Sequence, residues 1–254
     1  MKRKRLGQHF LYDLSILEKI VSEAGVGSED TVVEIGPGPG TLTKVLSGKA
    51  KKVIAVELDE RLYEKLKSEL SGAANIELIH GDALKFPFQK IGDFKVVANI
   101  PYYITTPLIF KLLEARQCLS TMTVTLQREV AERIVAHPGG KDYGVLSIMV
   151  QYLARAELRF IIPKEAFRPA PKVDSALLHM EILEEPCVSV RDEKTFQRVV
   201  KTAFSRRRKT LSNSLKSFGD GIREKLVAAG IDPGRRPETL SIEEFAALAD
   251  LLSG

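Results

Sequence analysis

The chain has 254 residues, 44% of them hydrophobic, enough for one substantial core and a small second one. No apolar run approaches the roughly 18 residues that cross a bilayer. The basic start, Met1-Lys-Arg-Lys-Arg-Leu6, lacks the apolar stretch of a secretion signal. Two cysteines, Cys118 and Cys187, are too few for a disulfide framework or a four-cysteine zinc site. His80, His137 and His179 have no Cys or carboxylate at ligand spacing. A cytoplasmic monomer with no membrane association and no metal is the expectation. The net charge of +5 is uneven: residues 1–11 hold four bases and no acid (+4), residues 12–190 hold 21 bases and 24 acids (−3), and residues 191–254 hold 13 bases and 9 acids (+4). Positive ends on a nearly neutral body suit a protein that grips a polyanion with its extremities, and they serve solubility equally well.

Leu14, Leu17, Ile20, Val21 and Ala24 recur at helical spacing and predict a helix over 14–25, closed by Gly25. Short apolar runs at 32–35, 53–56, 76–79, 96–98 and 122–126 predict strands, with helical patterns near 41–48, 59–70, 105–116 and 128–136. Such alternation implies right-handed crossovers and a mostly parallel sheet covered on both faces. Two more strands, about 155–162 and 175–183, lack a helix between them and predict an antiparallel hairpin closing the sheet edge, for seven strands in all. Composition changes at Glu184-Glu185-Pro186. Beyond it only helical patterns occur, at 193–204, 208–217, 221–229 and 241–252, punctuated by Gly219, Gly221, Gly230, Pro233 and Pro237. The expected organisation is therefore a Rossmann-like α/β domain over 1–185 with a basic N-terminal arm, followed by a small all-helical domain over 190–254.

The first strand runs into Glu34-Ile35-Gly36-Pro37-Gly38-Pro39-Gly40, with a helix from Thr41. Glycines belong where a turn is tight and a backbone must approach a ligand. The dinucleotide fingerprint places its third glycine three residues after the second; here the spacing is two, and an acid stands ahead of the first. Glu34 would repel a phosphate but suit the ammonium of a sulfonium cofactor. The loop alone leaves a methyltransferase, a dehydrogenase and a structural turn open. Glu57 ends the second strand 17 residues past Gly40, where a carboxylate can accept from ribose hydroxyls. Gly81-Asp82 ends the third, where a carboxylate can accept from an adenine amine. Acids in order at successive strand ends share one sheet edge and together favour S-adenosylmethionine, hence a class I methyltransferase.

The fourth strand ends in Asn99-Ile100-Pro101-Tyr102-Tyr103. The exocyclic amine of adenine is a poor nucleophile because its lone pair is delocalised into the ring. The Asn99 side-chain oxygen and the Ile100 carbonyl could accept its two N–H groups, with Pro101 fixing that carbonyl's direction. Tyr102 could stack on the base. A paired base cannot reach such a pocket, so the target must be unpaired or flipped out. Phe167-Arg-Pro-Ala-Pro-Lys-Val-Asp-Ser175 reads as a rigid lip, with Phe167 a candidate for the other face of the base or for the core.

These residues, with Gly7-Gln8-His9-Phe10-Leu11 and Ala203-Phe204-Ser-Arg-Arg-Arg-Lys-Thr-Leu-Ser-Asn-Ser-Leu215, resemble the KsgA/RsmA family of small-subunit ribosomal RNA adenine N6,N6-dimethyltransferases over essentially the whole chain. The resemblance implies two methyl groups on each of two adjacent adenosines near the 3′ end of 16S rRNA, in an immature 30S subunit. It places Gln8, His9, Leu11, Gly36, Gly38, Glu57, Asp82 and Asn99 on the cofactor, and Asn99, Pro101 and Tyr102 at the target base. His9 departs from the family's usual asparagine; it keeps a hydrogen-bond donor but changes charge near neutral pH. Lys2, Arg3, Lys4 and Arg5, and Arg206, Arg207, Arg208 and Lys209, are the concentrated basic runs expected to hold RNA through its backbone. The competing expectations are an adenine methyltransferase with another substrate, a non-catalytic assembly factor and, third, a nicotinamide dehydrogenase.

Overall fold

The computed structural model describes residues 9–206 and 208–253. Lys2, Arg3, Lys4, Arg5 and Gln8 of the N-terminal segment, and Arg207, lie outside the described residues.

A two-residue strand, β1 (Phe10–Leu11), leads into α1 (Leu14–Glu23). The Asp13 carboxylate starts this helix by accepting from the Ser15 amide at 2.9 Å, and Leu17, Ile20 and Val21 form its buried face. The alternating part follows: β2 (Thr31–Ile35), α2 (Thr41–Ser47), β3 (Lys52–Glu57), α3 (Glu60–Glu69), β4 (Ile76–His80), β5 (Phe94–Asn99), α4 (Thr105–Leu113), β6 (Leu119–Gln127) and α5 (Arg128–Ile134). Next come α6 (Val145–Gln151), β7 (Ala154–Ile162), β8 (Phe167–Arg168) and β9 (Ser175–Ile182). The chain ends in α7 (Glu193–Phe204), α8 (Leu211–Ser214), α9 (Ile222–Ala228) and α10 (Ile242–Leu252).

Seven strands form one sheet in the order β4-β3-β2-β5-β6-β9-β7, and β1 pairs with β8 apart from it. Strands β4, β3, β2, β5 and β6 are parallel, and β9 runs antiparallel to β6. The central strands are buried on both faces through Val32, Val33, Val53, Ile54, Val96 and Val97, which is why they read as continuous apolar runs and not as alternating ones. The chain lays β3 and β4 on one side of β2, then returns to put β5 on the other side. That reversal makes the carboxyl ends of β2 and β5 a topological switch point, where open α/β sheets hold ligands. The last two strands are neighbours and close the sheet edge as expected, with β9 between β6 and β7, and the segment joining them carries the short strand β8 that pairs with β1.

Two compact units emerge, residues 9–131 with 155–182 and residues 132–154 with 183–253. The segment 132–154 thus goes with the C-terminal helices, although it precedes the last two sheet strands in sequence. In this helical unit the Asp192 carboxylate caps α7, which buries Phe196, Val199, Val200 and Ala203. Tyr152 packs on Phe196 with ring centroids 4.6 Å apart. Ser241 and Glu244 form a capping box at α10, and Glu244 also pairs with Arg235.

Candidate active site

The loop after β2 turns through Gly36, Gly38 and Gly40, all at positive φ (67°, 58° and 76°). At Gly38 a Cβ would stand 2.6 Å from the Phe10 ring, so the glycine allows β1 to lie against the loop. The hydroxyl of Thr41, first residue of α2, donates to the Leu11 carbonyl at 2.9 Å and ties the same two segments together. Gly36 faces Pro101, whose ring would lie 3.5 Å from an added Cβ, as expected of two strand ends flanking the switch point.

Two cavities open on this edge. His9, Phe10, Gly36, Asn99, Ile100, Pro101 and Tyr102 line the first. The second is lined by Glu57, Leu58, Asp82, Leu84 and Tyr103, among others. Gly36 and Pro101 belong to both linings.

In the first cavity the Asn99 Nδ2 group donates to the His9 carbonyl at 2.9 Å. A carbonyl can only accept, so this bond fixes which way the amide faces and leaves Oδ1 as its accepting atom. Tyr102 and Ser175 share a hydroxyl–hydroxyl bond of 2.6 Å, and the Tyr102 ring lies 5.5 Å from that of His9. Burial raises the Tyr102 phenol above its ordinary value, against the opposing pull of Ser175. His9 Nδ1 lies 2.7 Å from the Pro169 carbonyl, so that nitrogen carries the hydrogen.

In the second cavity Glu57 is 1% exposed. Its Oε2 accepts from the Gly38 amide at 3.1 Å and its Oε1 from the Asp59 amide at 2.8 Å. Burial pushes its carboxyl above the usual range, and the amide bonds from Asp59 and Gly38 oppose the shift. Asp82 Oδ1 accepts from the Leu84 amide at 2.9 Å, which fixes it at the mouth of the same cavity. Glu34 stands elsewhere. It is 2% exposed, lines neither cavity, faces Thr43 and Glu57, and is pushed by burial to about 8. The charge it was expected to offer a cofactor is thus suppressed at neutral pH, and Glu57 and Asp82 are the acids at the pocket.

The structure brings His9, Gly36, Asn99, Pro101 and Tyr102 together, and beside them Gly36, Glu57 and Asp82. Gly38 contributes its amide to Glu57. Leu11 is buried in the core, and its backbone carbonyl accepts from Thr41. Phe167 requires a correction: it is 0% exposed and packed with Leu11, Leu17 and Leu177, so its ring is a core group and is not presented to a base. Arg206, Arg208 and Lys209 are exposed in the turn after α7. Sequence reasoning passed over Ser175, whose hydroxyl holds Tyr102, and Tyr103, whose doubling of Tyr102 was the available signal.

A mostly parallel seven-stranded sheet, a glycine elbow and acids at the next two strand ends define a class I S-adenosylmethionine-dependent methyltransferase fold. The family described as ribosomal RNA adenine dimethylase matches residues 1–253, and the chain belongs to that family. It is 46% identical over 260 residues to the ribosomal RNA small subunit methyltransferase A of Caldanaerobacter subterraneus subsp. tengcongensis, covering 98% of this chain and 97% of that one. Among solved structures it is similar to a dimethyladenosine transferase from Plasmodium falciparum, with a TM-score of 0.79 and 30% identity over 94% of this chain and 96% of that chain. It is also similar to the 23S rRNA methyltransferase ErmE, with a TM-score of 0.74 and 29% identity over 96% of this chain and 100% of that one.

Proposed function

We propose that this protein is a methyltransferase that converts two adjacent adenosines near the 3′ end of 16S rRNA to N6,N6-dimethyladenosine, using S-adenosylmethionine. The observation that carries the chemistry is the oriented Asn99 amide at the switch point, its nitrogen engaged by His9 and its oxygen left as an acceptor. The 46% identical small-subunit relative, matched from end to end, supports the choice of RNA.

The second cavity suits the cofactor. Glu57 and Asp82 would accept from the ribose hydroxyls and the adenine amine, between apolar walls that include Val56, Ala83 and Leu84. When bound, S-adenosylmethionine supplies a methyl group made electrophilic by its sulfonium. Asn99 Oδ1 and the Ile100 carbonyl hold the two N–H groups of the target amine and draw it toward tetrahedral geometry, with Pro101 setting the carbonyl's direction. Tyr102, anchored through Ser175, offers its ring to the base. No strong base is required, because the methylated amine is acidic and gives its proton to water. The target base is unpaired or flipped when it enters.

The helical unit is assigned the task of holding rRNA through Arg206, Arg207, Arg208 and Lys209, with Lys2, Arg3, Lys4 and Arg5 as a second basic contact. The substrate in this reading is an immature 30S subunit met in the cytoplasm by a monomer. No helix among the described residues is long and apolar enough to cross a membrane.

The likeness to ErmE favours a second reading, methylation of large-subunit RNA. Methyl-labelled S-adenosylmethionine offered with undermethylated 30S or 50S particles separates the two. Label in 16S rRNA alone is expected; label in 23S rRNA alone would overturn the proposal.

A further inference from the structure

Pro101, with ψ of 127°, directs the chain out of β5 into a single 3₁₀ turn, Tyr102–Ile104. With three residues per turn, successive side chains of a 3₁₀ helix diverge by about 120°. The two tyrosines therefore part company. Tyr102 lines the first cavity with Asn99 and is tied to Ser175, whereas Tyr103 lines the second with Glu57 and Asp82. Tyr103 is the one aromatic ring among the residues lining that second cavity, and it is 50% exposed. An aromatic ring left half in water at the rim of a pocket otherwise walled by small aliphatic groups and two acids is poised to be covered by a flat apolar ligand face.

We propose that Tyr103 is a cofactor-binding residue whose ring covers the nucleoside half of S-adenosylmethionine, so that the doubled tyrosine divides its labour: Tyr102 for the target base, Tyr103 for the cofactor. This rests on the methyltransferase reading of the site. The ring, and not the hydroxyl, is the working part. Burial and the carboxylates of Glu57 and Asp82 all raise the Tyr103 phenol, so it keeps its proton and cannot serve as a base for the amine. The same two acids already supply the acceptors that a ribose and an adenine amine need.

The test is the affinity of S-adenosylhomocysteine, measured by calorimetry on the full chain without RNA, for wild type, Tyr103→Phe and Tyr103→Ala. Stacking of a base on an aromatic ring predicts roughly tenfold weaker binding for Tyr103→Ala. Tyr103→Phe should stay within about twofold of wild type, and the KM for undermethylated 30S particles should be the same in all three. Unchanged affinity in Tyr103→Ala would overturn the assignment, and a raised KM for the particle alone would give the ring to the RNA instead. Equal losses in Phe and Ala would transfer the role to the hydroxyl and likewise contradict it. A wild-type protein that binds no S-adenosylhomocysteine would sink the methyltransferase reading itself, an outcome distinct from all of these.

Discussion

Glu34 and Glu57 lie at the carboxyl ends of neighbouring strands, one residue before the last and the last, and both are almost excluded from water, but they solve the problem of burial differently. Glu57 spends its oxygens on two backbone amides, a direct compensation for lost hydration. Glu34 has an oxygen without a partner and keeps its proton instead, up to about pH 8. Its folded pKa lies above the ordinary 4.5, so between those values the folded state holds a proton that the unfolded chain has released. Stability from this group is therefore full below about pH 4.5 and falls as pH rises toward 8, by at most about 1.4 kcal/mol per pH unit. Glu34→Gln should remove that slope, raising Tm at pH 8 more than at pH 5; parallel melting profiles for the two proteins would refute the account. Glu57→Ala strands the Gly38 amide and removes an acceptor from the pocket. It should weaken cofactor binding at least tenfold and cost about 1–3 kcal/mol of stability, read by calorimetry and by thermal melts.

At the scale of elements, β1 lies across the glycine loop, and the Phe10 ring sits where a Cβ on Gly38 would be. Gly38→Ala places a Cβ against that ring at a backbone conformation costing about 1–2 kcal/mol for an L-residue. The expected outcome is a lowered Tm together with weaker cofactor binding; wild-type behaviour in both would show that β1 does not depend on the loop. The parallel strands and their helices were legible because burial on both faces leaves continuous apolar runs, and strand ends with Glu57, Asp82 and Asn99 carried the site with them. What was not legible has physical causes. Two-residue strands such as β1 and β8 carry no periodicity. The run Val145–Gln151 is too short and apolar to separate helix from strand, and its start depends on the Gly144 amide donating to Ser147 Oγ at 3.0 Å. The single helix expected over 208–217 is broken into α8 and a 3₁₀ turn, Lys216–Phe218. There Ser212 and Asn213 engage Thr210, as short polar side chains do when they compete with the helix ladder. The fate of Phe167 was undecidable from its motif, since an aromatic before a proline-rich lip serves a core as readily as a pocket.

For the whole molecule, residues 191–254 carry a surplus of four positive charges, and under the proposed function the exposed Arg206, Arg208 and Lys209 are the concentrated part of the contact with RNA. Contacts of this kind release counterions, and each lost phosphate contact lowers the salt slope of binding by roughly 0.7–0.9. Replacing Arg206, Arg208 and Lys209 by glutamine should weaken binding to 30S particles and flatten its salt dependence by about two units, leaving S-adenosylhomocysteine affinity unchanged. An unaltered slope would remove the helical unit from RNA binding. The central claim, that Asn99 at the switch point holds an adenine amine for methylation by S-adenosylmethionine, is tested most directly by the product. Undermethylated small subunits are incubated with the protein and methyl-labelled S-adenosylmethionine, and the RNA is digested to nucleosides. Label is expected in N6,N6-dimethyladenosine, reduced at least a hundredfold by Asn99→Ala, in line with the loss of one preorganised polar group at a reacting centre, about 10²–10³. Label in a nucleoside other than N6-methylated adenosine, or full activity in Asn99→Ala, would contradict the account.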